Sequence, residues 1–365
     1  MFSFVTRPWG GAMGHAVRSF DTPAPVRARG AGSNLAGRFE PYTYDGPLPA
    51  RVATELREEA VTRILSSNRS PDLGFERSIN PYRGCEHGCV YCYARPSHAF
   101  LGLSPGLDFE SKIIAKPGAA HALRRELSQK GYVPKMIALG ANTDPYQPVE
   151  RDLRIARGVL EVLRDFRHPV AITTKGVMVE RDVDVLAEMG CELARVGLSV
   201  TTLDDALARR LEPRAPTPSR RLAAIERLAA AGVDVRVMIS PVIPGLTDHE
   251  VEGIVRAAAD AGAKAASMIP LRLPMEVAPL VEEWLRTHVP GEARKVLNRV
   301  RQFHSGKLYD AGFGHRMRGK GVHADLLQQR FRRACAAAGL ALRLPPLRTD
   351  LFEVPCAPSP QMELF

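Results

Sequence analysis

The chain has 365 residues, 45% of them hydrophobic, with 50 Lys and Arg against 40 Asp and Glu. That length builds one large core or two ordinary ones, and no apolar run reaches the roughly 20 residues of a membrane helix, so the composition reads as soluble. The formal charge of +10 is concentrated, because residues 291–340 carry eleven Lys and Arg against three Asp and Glu. Such an excess suits nucleic-acid phosphates or a solvated basic face.

In chain order, residues 1–50 mix Arg, Gly and Pro without a helical or strand period and read as a mobile extension. The stretch lacks the compact apolar core of a secretion signal, although its Arg-rich, acid-poor look is that of an organellar transit peptide. A short lead-in helix is expected from Pro49 to about Leu65, then an extended segment from Arg77 to Arg83. Short apolar runs of buried-strand type follow at Lys135–Leu139, Val170–Thr174, Leu193–Val200, Val233–Ile239 and Ala265–Ile269. Helical spacing fills the intervals: Arg151–Phe166, Arg181–Met189 ending at Gly190, Asp204–Leu211 and Ser219–Ala231. Asp248–Ala261, behind a Thr247 cap, and Val277–Thr287 complete the series. About six βα units predict an α/β fold with a parallel sheet over residues 51–290. Residues 291–342 form a basic helical extension, with helices at Ala293–Phe303 and Ala324–Ala338 around a Gly-rich loop. Residues 343–365 are a Pro-rich, flexible tail.

Between Asn80 and Pro96 the cysteines Cys85, Cys89 and Cys92 stand in a C-x3-C-x2-C spacing, with Gly84 and Gly88 beside them. Three soft thiolates on one glycine-bearing loop can wrap a single metal centre. With no fourth cysteine nearby, an iron–sulfur cluster held there keeps one iron open. The alternative is structural zinc with His87 or His98 as fourth ligand, giving a nucleic-acid binding module. Three clustered cysteines cannot pair evenly, so a disulfide is disfavoured, and six cysteines used this way suit a reducing cytoplasm.

The spacing, with Tyr91 just before the third cysteine, resembles the radical S-adenosylmethionine (SAM) superfamily. The resemblance covers about residues 75–290 and implies a partial (β/α)6 barrel of TIM type, a 4Fe–4S cluster on Cys85, Cys89 and Cys92, and an external electron donor. In that family the open iron chelates SAM, which electron transfer cleaves to a 5′-deoxyadenosyl radical. Residues after successive strands resemble the spore photoproduct lyase-like branch, a DNA-repair family. Thr143 and Asp144 match the pair set against the SAM amino group, Lys175 matches a lysine against its carboxylate, and Ser199 a hydroxyl near its polar groups. Glu212 and Arg214 are candidates for ribose and carboxylate contacts, and Ile243 lies in a Val-Ile-Pro-Gly turn that packs on adenine. One departure stands out: the lyase's hydrogen-donating cysteine is replaced here by Ala141. Cys191, Cys335 and Cys356 remain, the first two as buried structural thiols by default. The substrate expected from the basic region is nucleic acid; a protein or small metabolite is the alternative.

The chain ends in Gln361-Met-Glu-Leu364-Phe365, which resembles the short peptide by which bacterial replication and repair proteins dock on the sliding clamp. The preceding Pro-rich run would hold it away from the domain.

Overall fold

The computed structural model describes residues 26–40 and 49–355. Six parallel strands form the centre: β1 (Arg77–Ile79), β2 (Ile137–Leu139), β3 (Val170–Thr174), β4 (Ala194–Ser199), β5 (Asp234–Val242) and β6 (Ala265–Pro270). They lie side by side in sequence order, and Ser66–Ser67 adds an antiparallel edge to β1. A doubly wound sheet reverses its strand order at a switch point. This one does not reverse, so the array is a barrel wall, as the resemblance implied.

Alternation within the strands explains the core. Val170, Ile172, Val196, Leu198, Val235, Val237 and Ile239 are buried against the outer helices Ile155–Asp165, Val183–Leu193, Pro218–Ala230 and Val251–Asp260. The residues between them face the barrel interior. Among the described residues, no helix is long and apolar enough to cross a membrane.

Several expectations are corrected. The lead-in helix is absent: Glu55–Glu58 is a strand pairing in parallel with Lys112–Ala115, which also takes Tyr82–Arg83. The backbone need of that exposed edge overrides the helical propensity of the charged sequence. Residues 26–40 are not a loose extension, since Val26, Arg29 and Ala31 are buried. The helix expected at Arg151–Phe166 breaks at Arg154, which adopts φ of 50°. The break lets the Glu150 carboxylate accept the Ala156 amide at 3.1 Å, capping the second piece. Thr247 does not cap its helix; its hydroxyl accepts the Ile243 amide at 2.9 Å.

The C-terminal region packs on the barrel rather than standing apart. Helix Pro290–Phe303 buries Val296, Val300 and Phe303, and helix Val322–Ala337 lies on Val251–Asp260 with Arg330 bridging to Glu252 at 2.7 Å. The tail is anchored to residue 352, whose ring stacks among Tyr132, Phe166 and His168. Apolar burial thus fixes a segment that composition reads as flexible. Cys356, Gln361, Leu364 and Phe365 lie outside the described residues.

Candidate active site

The cysteine loop follows β1 at the C-terminal end of the parallel strands, where βα barrels build their sites. Gly84 and Gly88 take φ of 77° and 67°, which turns the chain tightly enough to bring the three thiols within reach of one another's charge. The Cys85 amide donates to Phe109 O at 2.9 Å and the Cys92 amide to Cys89 O at 3.2 Å. Cys85 and Cys89 are 8% and 7% exposed. Burial pushes the Cys89 thiol up to about 12, against the pull of Lys175, and raises Cys85 as well. Thiolates in this place therefore need a cationic centre to form.

A buried carboxylate clasps the loop from behind. Glu110, fully buried, accepts the Gly30 and Ala31 amides at 2.9 Å each and pairs with Arg95 at 2.9 Å. Arg95 in turn donates to Cys89 O at 2.9 Å. Gln147 donates to Gly84 O at 3.2 Å and accepts the Glu86 amide at 2.9 Å.

Each candidate zinc histidine has a polar neighbour other than the thiols, although the Nδ1 atoms of both lack a well-formed hydrogen bond among the described residues. His98 Nε2 meets Lys112 O at 3.1 Å, and His87 Nδ1 lies 3.2 Å from Asp144 Oδ2. Among the described residues, no three or more His, Cys, Asp or Glu side chains are arranged around one ion. Two buried thiols and a half-buried one, with no fourth protein ligand among the described residues, fit a cluster that keeps one iron open.

The residues expected around SAM divide into two groups. Asp144 is consumed by the protein itself: Oδ1 accepts Thr174 Oγ1 at 2.6 Å and the Tyr146 amide at 2.9 Å, and Oδ2 accepts the Lys175 amide at 2.7 Å. Burial opposes its charge, but His87 and these donors outweigh burial and hold the carboxyl at about 2. Thr143 is likewise turned inward, donating to Tyr82 O at 2.7 Å. Glu212 is spent on Arg221, Tyr91 Oη and Thr201 Oγ1, the last at 2.8 Å. Arg221 and Lys175 outweigh the burial penalty and hold Glu212 at about 2 as well. Arg214 reaches Glu86 at 3.0 Å and Thr54 at 3.1 Å, bracing the loop rather than standing open. For Thr143, Asp144 and Glu212 the physical reason is that polar groups taken largely out of water find partners within the fold; Arg214, half-buried, is held by its ion pair with Glu86.

The second group faces the site. The Lys175 ammonium lies 5.7 Å from the Tyr91 ring centroid, and burial, which would neutralise it, is outweighed by Cys89 and Glu212, so its pKa is raised. Ser199 is buried at the end of β4, its carbonyl accepting Arg221 Nη1 at 3.0 Å. Ile243 is buried in an apolar cluster with Leu207, Leu271 and Leu273. Sequence reading missed Arg221, Glu110, Arg95 and Gln147. All four are buried; Glu110 and Gln147 are partnered across more than sixty residues and Arg95 and Arg221 within about twenty, and no local pattern marks them.

Comparison with known proteins agrees with this geometry. The family description "Radical SAM superfamily" matches residues 79–258. An uncharacterized protein of Mycobacterium tuberculosis is 38% identical over 204 residues, 55% of this chain and 60% of that protein. One from Methanocaldococcus jannaschii is 28% identical over 177 residues, 48% of this chain and 64% of that protein. The chain thus spans somewhat under two thirds of the curated relatives it matches. Among solved structures, a spore photoproduct lyase variant aligns with TM-score 0.58 and 17% identity over 78% of this chain and 80% of its own. Another, solved with bound AdoMet and dinucleoside spore photoproduct, aligns with TM-score 0.57, 16% identity and the same coverage. The barrel is therefore the fold seen in spore photoproduct lyase, and residues 79–258 match the radical SAM superfamily.

Proposed function

We propose that this radical SAM enzyme acts on nucleic acid at the mouth of its barrel. When bound, the cluster supplies the electron that cleaves SAM to the 5′-deoxyadenosyl radical. Cys85, Cys89 and Cys92 would hold the cluster, and Lys175 would face the SAM carboxylate, because it is the half-buried cation beside Cys89. Ser199 and the Ile243 turn would border the nucleoside. Exclusion of water around bound SAM would protect a radical from quenching.

The observation that carries the substrate reading is the set of exposed basic residues Arg294, Lys307, Arg318, Arg332 and Arg333, which have no ion pair among the described residues. The dinucleoside bound by the structurally similar lyase supports it. The replacement of the lyase's cysteine by Ala141 argues for a reaction other than that lyase's.

The test is anaerobic reconstitution with an external electron donor, followed by measurement of 5′-deoxyadenosine with DNA, RNA and a protein extract supplied in turn. Brown protein with about four irons per chain is expected, with turnover stimulated by nucleic acid. Stoichiometric zinc without iron, or stimulation by protein alone, would overturn the reading. Cys89→Ala should remove colour and SAM cleavage together.

A further inference from the structure

The end of the barrel remote from the cysteine loop holds a second opening. A cleft of about 1480 Å³ is lined there by the starts of the parallel strands, by Leu73 and Phe75 ahead of β1, and by residues 342–349. Barrel interiors are ordinarily filled by bulky branched side chains. Here one layer reads Ser78, Ala138, Ala171 and Arg195 across β1 to β4. Three small residues leave the space, and an arginine enters it. On β5 the inward position registered against Gly197 is a second arginine, Arg236.

These two guanidinium groups are poorly satisfied by the protein. The Nε atoms of both are buried with no partner among the described residues. Arg195 donates once, from Nη2 to Pro345 O at 2.7 Å. Burial, and then the neighbouring Arg195 charge, lower the Arg236 pKa, with no acid compensating. The acids nearby are already engaged: Asp234 by Lys264 at 2.6 Å, Asp72 by Arg316 at 2.6 Å, and Glu76 by Lys135. Arg343 adds positive charge at the rim.

We propose that this cleft is a second ligand site, in which Arg195 and Arg236 clamp the phosphate group of a phosphorylated ligand. Two adjacent unpaired cations call for a dianion; a phosphomonoester neutralises both, whereas a carboxylate neutralises one. The planar donor fork of arginine matches phosphate oxygens two at a time. Leu73, Phe75, Met136, Phe313 and Met317 supply apolar walls for an attached ring. The site lies opposite the cysteine loop and does not depend on which substrate reacts there.

Calorimetry on the full chain at low salt tests this, with inorganic phosphate, AMP and a 5′-phosphorylated oligonucleotide as separate probes. At least one should bind, and the order of affinities identifies whether free phosphate, a nucleotide or a nucleic-acid end is the source. Arg236→Gln and Arg195→Gln should each weaken binding about tenfold or more while iron content stays unchanged. Arg236→Met removes the unpaired charge at similar length. It should raise the melting temperature in phosphate-free buffer and abolish the further rise that phosphate gives the wild type. Absence of binding by all three probes, unchanged affinity in Arg236→Gln, or a lower melting temperature in Arg236→Met would overturn the assignment.

Discussion

The Lys175 amide donates to Asp144 Oδ2 at 2.7 Å, while the Lys175 ammonium sits over the Tyr91 ring at 5.7 Å. One residue thus joins two strand ends through its backbone and presents its charge to the cysteine loop through its side chain. The acid is engaged by the fold, and the lysine ammonium makes no hydrogen bond among the described residues.

That division separates two variants. Lys175→Met should weaken SAM binding about ten- to a hundredfold, the worth of a lost charged hydrogen bond of roughly 1.5–3 kcal/mol, with iron retained. Asp144→Ala should instead lower thermal stability, because it strands the Thr174 hydroxyl and the Tyr146 and Lys175 amides without an acceptor. Titration calorimetry and thermal melts distinguish them. Unchanged SAM affinity in Lys175→Met would remove the lysine from the site.

The buried acid Glu212 makes stability depend on pH in a set direction. Its pKa falls from an ordinary 4.5 to about 2 on folding. A depressed folded value contributes stability that is present above pH 4.5 and lost as pH falls through about 2. The contribution at neutral pH is on the order of 3 kcal/mol. Glu212→Gln should therefore be destabilised at pH 7 by at least this order, with the gap to wild type narrowing between pH 4.5 and 2. A gap that stays constant across that window would show that the charge of Glu212 is not what Arg221 and Tyr91 recognise.

How far the sequence could be read follows from where each signal resides. The cysteine loop was legible because spacing and glycines carry its chemistry locally. Strands β2 to β6 were legible because buried parallel strands are short apolar runs. Asp144 and Glu212 were recognised as polar residues after strands, but sequence does not say whether a carboxylate's lone pairs will be filled by backbone amides or left for a ligand. The Glu110 clasp joins residues about eighty apart, and nothing near Gly30 or Glu110 announces it. The strand at Glu55–Glu58 was lost for the opposite reason, a local helical preference overruled by a distant partner strand.

The basic C-terminal region also divides. Arg316 grips Asp72 with both contacts at 2.6 Å, tying the loop after helix Pro290–Phe303 to the segment ahead of β1. Arg318, two residues on, is exposed. Arg316→Glu should lower thermal stability through repulsion from Asp72. Arg318→Glu should leave stability unchanged and reduce the salt dependence of nucleic-acid binding by about one phosphate contact. Equal effects of the two substitutions on the salt slope, measured by fluorescence anisotropy over a salt series, would mean that the Arg316–Asp72 pair opens to bind phosphate.

The last prediction concerns Gly30, in a segment whose composition gives no hint of a role. Its amide donates to Glu110 Oε2 at 2.9 Å, and a Cβ placed on it would overlap the carbonyl oxygen of Gly88, between Cys85 and Cys89. The obstacle is backbone, so the cysteine loop or the N-terminal segment has to shift. Overpacking of this kind costs about 1–3 kcal/mol, and here the strain falls on the loop that fixes the thiols. Gly30→Ala should therefore lose iron to a chelator faster than wild type while its far-ultraviolet circular dichroism is preserved. Gly291→Ala is the matched control, since a Cβ there meets nothing within 4 Å. If Gly30→Ala holds its iron as long as Gly291→Ala does, residues 26–40 cover the loop without holding it in shape.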